Sequence, residues 1–122
     1  VFNSIIRKLR TVEDIDVLDV LHMSRKMIKQ GTEDVPIEYY YTEISLKDVD
    51  KWNAIEYLAN KMNISKDEII AIGDNINDKE MIENAKVGIA MGQSTPVITE
   101  IADFVTTNNN EDGVAKALEK YC

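Results

Sequence analysis

Two carboxylates four residues apart, Asp74 and Asp78, follow the short apolar run Ile69-Ile70-Ala71-Ile72-Gly73. Clustered carboxylate oxygens suit a hard cation such as Mg²⁺, which takes one or two carboxylates together with waters and substrate phosphate. Acids at the start of a helix also serve as caps, so the pair by itself leaves both roles open. Its position adds information. Four apolar residues, three of them β-branched, predict a short strand buried on both faces, as in a parallel sheet. Asp74 then stands at the carboxyl end of that strand, the edge at which open α/β sheets bind ligands. Asn77 is placed to cap a following helix, with Glu80 three residues on and Met81, Ile82 and Ala85 supplying its apolar face.

The elements around this turn follow from spacing and punctuation. Residues 1–30 read as helical: Phe2, Ile5, Ile6 and Leu9 repeat at helical spacing, and Val17, Val20, Leu21, Met23 and Met27 do so less cleanly. Gly31 would close that helix with a left-handed cap, and Thr32 to Pro36 would be a polar connection. His22, the one histidine, has no second histidine or cysteine nearby and reads as a helix-surface or packed residue. The Tyr, Ile and Thr content of Ile37 to Ser45 predicts a strand, with Tyr39 and Tyr41 on one face and Tyr40 and Thr42 on the other. Asp50 caps a helix over Lys51 to Met62 whose inward positions are Trp52, Ile55, Leu58, Ala59 and Met62. Ser65-Lys66-Asp67-Glu68 has capping-box spacing but room for a single turn.

Beyond the Asp74 turn, Val87 to Met91 reads as a second buried strand ending at Gly92. Thr95-Pro96 opens a short helix, with the hydroxyl as cap and proline at the first helical position. Phe104-Val105-Thr106 is a third strand. Glu111 to Tyr121 is a last helix with Val114, Ala115, Leu118 and Tyr121 inward. Strand and helix alternate from residue 69 onward, which implies right-handed crossovers, a parallel sheet and helices on both faces.

Composition excludes several classes. The chain has 122 residues, 44% hydrophobic and 30% charged, with a net charge of −8, as befits a globular domain. The acidic body argues against nucleic acid as the main partner, and the local cluster Arg7-Lys8-Arg10 reads as a solvated helix face. No apolar run approaches the roughly 18 residues of a membrane span, and there is no secretory signal. The single cysteine, Cys122, cannot form an internal disulfide, so a cytoplasmic setting is expected. A chain that opens at Val1 is expected to be a piece of something longer.

These segments together resemble the haloacid dehalogenase superfamily, specifically the C-terminal part of a Cof-type phosphatase with an α/β cap. The resemblance rests on Glu43-Ile44, Val49-Asp50-Lys51, Ile70-Ala71-Ile72-Gly73-Asp74 with Asn77-Asp78 and Met81, Val87-Gly88-Ile89-Ala90-Met91-Gly92, Ala102-Asp103-Phe104-Val105-Thr106 and Glu111-Asp112-Gly113-Val114-Ala115, in the family's order. It implies a Rossmann-like (HAD-like) parallel sheet over residues 47–122, the C-terminal half of the core, and a remnant of the cap over residues 1–46. It also implies a Mg²⁺-dependent phosphomonoester phosphatase acting through an aspartyl-phosphate on a small phosphorylated metabolite. Residue by residue, Asp74 matches the carboxylate bound to Mg²⁺. Asp78 matches the second acid of the metal motif, a ligand through water or an orienter. Asn77 matches a phosphate contact, and Lys51 the lysine that neutralises the phosphoryl oxygens.

Three departures accompany the match. Trp52 replaces the glycine usual after the lysine. Gln93-Ser94 replaces the usual Asn-Ala. The family's DxDxT nucleophile has no good counterpart, because the one DxD, Asp14-Ile15-Asp16, follows no buried strand and continues as Val17-Leu18. The expectation is therefore a fragment inactive alone, prone to self-association through the exposed edge of the Ile69–Ile72 strand. The alternative is a HAD-like binding or regulatory module that has lost catalysis.

Overall fold

The computed structural model describes residues 2–122, and the side chains of these except 19–25 and 38–41. The chain divides into two compact units, residues 1–49 and 50–122. The expected division at 46/47 falls in the connection between the last strand of the first unit and the first helix of the second.

The first unit holds a helix α1 (Phe2–Leu9) and two long antiparallel strands, β1 (Ile15–Gln30) and β2 (Glu33–Leu46). Here the helix expected over residues 1–30 is corrected, since only Phe2–Leu9 is helical. Ile15, Val17, Val20 and Ile28 are β-branched, and they satisfy their backbone across the hairpin, from Ile15 opposite Leu46 to Gln30 opposite Glu33. Gly31 is left-handed, with φ +69, but as the first residue of a two-residue hairpin turn, not as a helix cap. Thr32 completes that turn, and Pro36 lies within β2 opposite Met27, so the expected polar connection is strand. A sheet of two strands is all edge, so a residue without an N–H is tolerated there. Register shifts between Val20 and Ser24, as at a β-bulge. The expectations for His22 and for the faces of Tyr39, Tyr40 and Tyr41 concern side chains outside those described.

The second unit is α/β: α2 (Lys51–Met62), β3 (Ile70–Gly73), α3 (Lys79–Asn84), β4 (Val87–Ala90), α4 (Pro96–Ile101), β5 (Phe104–Val105) and α5 (Gly113–Tyr121). Its three strands are parallel, in the order β3-β4-β5. α2 begins where expected, because Asp50 accepts from Asn53 N while the Asn53 side chain accepts from Asp50 N. Ser65 and Glu68 form the same reciprocal cap around the single turn 66–68. Thr95 makes no side-chain cap hydrogen bond, so proline at the first position, rather than the hydroxyl, starts α4.

The core lies against the sheet in two clusters. Trp52, Ala71 and Ala85 are packed with Ile55, Ile69 and Met81; Ile82, Ala90 and Ile98 with Ile101 and Ala102. Ile82, Ile89 and Ile98 are fully buried, each contributing about 1.5–3 kcal/mol of transfer free energy. Close approach fixes one glycine here. A Cβ on Gly88 would sit 2.0 Å from the Ile82 carbonyl oxygen, so only glycine lets α3 lie on β4. Several expected faces shift. β3 alternates buried and half-buried positions instead of being buried on both faces. Leu58 and Met62 of α2, and Val114 and Leu118 of α5, are exposed, and α5 buries Gly113 and Ala117 in their place. No helix among the described residues is long and apolar enough to cross a membrane.

Candidate active site

The site is organised by the turn between β3 and α3. Gly73 ends β3, its carbonyl accepting from Met91 N at 2.9 Å. A Cβ at Gly73 would lie 2.5 Å from Asp78 Cβ, so the absence of a side chain is what admits Asp78 beneath the strand end. Asp74 follows at the carboxyl end, exposed. The turn 76–78 is capped by Asn75, and α3, the helix Asn77 was expected to cap, follows Asp78 with no side-chain cap hydrogen bond. Asn75 Oδ1 accepts from Ile76 N, and the Asp78 carboxylate reaches back to accept from Asn75 N at 3.1 Å and Asp74 N at 2.9 Å. Asn77 lies half-buried within the turn.

Asp78 is 4% exposed, and its other oxygen accepts from Lys51 Nζ at 2.5 Å. Burial would push this carboxyl up. The Lys51 hydrogen bond, the two backbone N–H donors and the Lys51 charge together outweigh burial and hold it below the usual aspartate value. Lys51 is the first residue of α2, where the helix dipole disfavours a cation; pairing with a buried carboxylate offsets that cost. The lysine side chain stays half-exposed, and of the three donors on its ammonium one is engaged by Asp78. Trp52, which stands where glycine was expected, is buried against Ala71 and Ala85, so it anchors the start of α2 beside the sheet.

A contact the sequence did not reveal completes the site. Gln93, in the loop after β4, donates from Nε2 to Asp74 Oδ2 at 3.3 Å. The only signal available was a long amide side chain just after Gly92, at the same sheet edge as Asp74. The structure thus brings Lys51, Asp74 and Asp78 to the carboxyl end of β3, with Asn77 in the same turn. Asp14 and Asp16 belong to the first unit, at the start of β1, where Asp16 Oδ2 accepts from Asp48 N at 3.4 Å.

Chemically, the exposed Asp74 carboxylate can accept a cation, and the Lys51 ammonium held by Asp78 can neutralise an anion. Among the described residues, no three His, Cys, Asp or Glu side chains cluster as a self-sufficient metal cage. Mg²⁺ keeps several waters and takes one or two carboxylates. Asp74 fits as such a carboxylate. Asp78, with Lys51 on one oxygen and two amides on the other, fits as the group that orients the loop and the lysine.

A parallel sheet with acids at its carboxyl edge and a lysine on the preceding helix places these side chains where open α/β sheets bind ligands. A family model for haloacid dehalogenase-like hydrolases matches residues 5–118. The chain belongs to this family, as the motif order implies. The Bacillus subtilis phosphatase YwpJ is 43% identical over 77 residues, covering 63% of this chain and 27% of that protein. The 5-amino-6-(5-phospho-D-ribitylamino)uracil phosphatase YitU of the same organism is 34% identical over 115 residues, covering 78% and 43%. A Thermotoga maritima crystal structure superposes with TM-score 0.73 at 30% identity, over 99% of this chain and 40% of that one. The chain spans less than half the length of these relatives.

Proposed function

We propose that this chain supplies the Mg²⁺-binding and charge-neutralising half of a phosphomonoester phosphatase acting on a small phosphorylated metabolite. The observation that carries the reading is the Lys51–Asp78 pair set beneath Asp74 at the carboxyl end of β3. Asp74 and solvent would hold Mg²⁺, and the bound cation would withdraw charge from the phosphoryl oxygens. Lys51 presents its ammonium to the same oxygens, and Asp78 holds it in place. Asn77 is the amide offered to the phosphate. Phosphoryl transfer is mostly positioning and cationic stabilisation, which is the chemistry these residues can provide.

The covalent step needs a carboxylate oxygen that attacks phosphorus in line while the ester P–O bond breaks and the alcohol leaves with a proton. Water then cleaves the acyl-phosphate. Asp14-Ile15-Asp16 follows no buried strand and continues as Val17-Leu18 where the family has Gly-Thr, so we assign neither acid as the nucleophile. Residues 1–46 are read as part of a substrate-selecting cap. With one carboxylate available, Mg²⁺ affinity in residues 1–122 is expected to be no better than about millimolar.

The test is Mg²⁺-dependent hydrolysis of p-nitrophenyl phosphate by a chain in which a DxDxT-bearing segment precedes these residues. Asp74→Asn or Lys51→Ala should lower kcat/KM by at least about 100-fold. Near-normal turnover in both variants would overturn the assignment, as would micromolar Mg²⁺ binding in residues 1–122 that survives Asp74→Asn.

A further inference from the structure

Gln93 bridges two loops. While Nε2 donates to Asp74 Oδ2, Oε1 accepts from the backbone N–H of Asn109 at 3.1 Å. A backbone N–H can only donate, so the oxygen end of the amide must face Asn109, and the NH₂ end is thereby turned to the carboxylate. Both ends of Gln93 meet groups of the complementary kind.

The platform beneath this side chain is tightly held. Met91 N donates to Gly73 O, which ties the loop to the end of β3, and Gly92 N donates to Thr107 O at 3.2 Å. A Cβ at Gly92 would lie 2.8 Å from Asn108 N, so the loop presses directly on the segment after β5. That segment is itself capped, with Asn108 Oδ1 accepting from Asn110 N. An exposed aspartate on its own samples several rotamers, and coordination of a cation must select one. Gln93 restricts that choice from a scaffold with little freedom.

We propose that Gln93 is the positioning residue for the Asp74 carboxylate, coupling the Mg²⁺ loop after β3 to the Asn108–Glu111 turn after β5. The proposal rests on the reading of Asp74 as the Mg²⁺ ligand. By reciprocity, whatever occupies Asp74 also biases the turn at Asn109. Groups that orient ligating carboxylates through hydrogen bonds affect metal affinity without touching the metal.

The test is a titration of residues 1–122 with Mg²⁺ alone, carried well past the millimolar range and followed by amide NMR. The Asp74 and Asn109 backbone amides and the Gln93 side-chain NH₂ should shift together with one dissociation constant. Gln93→Leu should weaken Mg²⁺ binding by about 3- to 10-fold and silence the Asn109 response, with the thermal midpoint little changed. Gln93→Met, of similar length and without either hydrogen bond, should do the same and serves if the leucine variant misfolds. An Asn109 response and affinity equal to wild type in these variants would overturn the role of Gln93 while Asp74→Asn still abolished binding. A titration unaffected by Asp74→Asn, or no response at all, would instead overturn the ligand reading and this proposal with it.

Discussion

Lys51 Nζ and Asp78 Oδ1 lie 2.5 Å apart although the two residues are separated by 27 positions in sequence. One is the first residue of α2 and the other ends the turn after β3, so their meeting fixes the helix start against the sheet edge. The carboxylate is buried and the ammonium half-exposed, which makes the pair asymmetric. Removing the lysine strands a buried charge, whereas removing the acid frees a lysine into water.

The acid dependence of stability should follow Asp78. Its folded carboxyl titrates below the ordinary 3.8, so the ionised form favours the folded state. That contribution is complete above the ordinary aspartate range and drains away as pH falls through the unfolded value to the folded one. Denaturant melts of the wild type should lose stability progressively as pH falls below about 5. Asp78→Asn should cost about 2–4 kcal/mol at neutral pH, with three charge-assisted hydrogen bonds weakened, and should flatten the acid slope. An unchanged slope in the variant would place the acid sensitivity elsewhere.

Glycine substitutions should separate close packing from backbone strain. Gly73→Ala drives a Cβ into Asp78 and should cost about 1–3 kcal/mol or more, with loss of the Lys51 contact. Gly31→Ala meets nothing within 4 Å and bears only its positive φ, so about 1–2 kcal/mol is expected. Thermal melts decide the ranking, and an Nζ-region NMR shift of Lys51 should report the lost pair only in Gly73→Ala.

Much of the second unit was legible because its signals are local. Asp50 and Ser65 cap what they were expected to cap, and Ile70 to Gly73 ends where a ligand-binding strand should end. In the first unit the helix at Phe2–Leu9 and the strand over residues 37–45 were legible too, but β1 was not. Val17, Val20, Leu21 and Met27 fit a helical period loosely, and only pairing with a distant segment through the Gly31 turn makes them a strand. Asp74 and Asp78 were named from their spacing after an apolar strand and Lys51 from motif order, but the buried state of Asp78 depends on the missing Cβ of Gly73. Gln93 was hidden for a related reason: its two partners come from different loops.

Self-association is expected from β3. Among the described residues this strand pairs with β4 alone, leaving its other edge without a neighbour. An apolar strand edge of that kind templates pairing with a second chain. Light scattering across a concentration series should show growing mass. A clean monomer at high concentration would count against an available edge.

Turnover by residues 1–122 is expected to be at background on p-nitrophenyl phosphate. We assign no nucleophile among these residues, so the site is expected to hold a phosphoryl group but not accept one. Substantial hydrolysis abolished by Asp14→Asn would instead install the Asp14–Asp16 segment as the nucleophile.

The order β3-β4-β5 across the sheet is also the order along the chain, and it bears on how the second unit is made. Ile70 finds Val87, and Ile89 finds Phe104, each across one intervening helix. The Asp103 carboxylate reinforces the second pairing by accepting from Gly88 N, while Asp103 N donates to Gly88 O. Closing such short loops costs little chain entropy, so contact order is low for a parallel sheet. On a ribosome, each strand after β3 would emerge to find its neighbour already synthesised, and the sheet would grow from one side only.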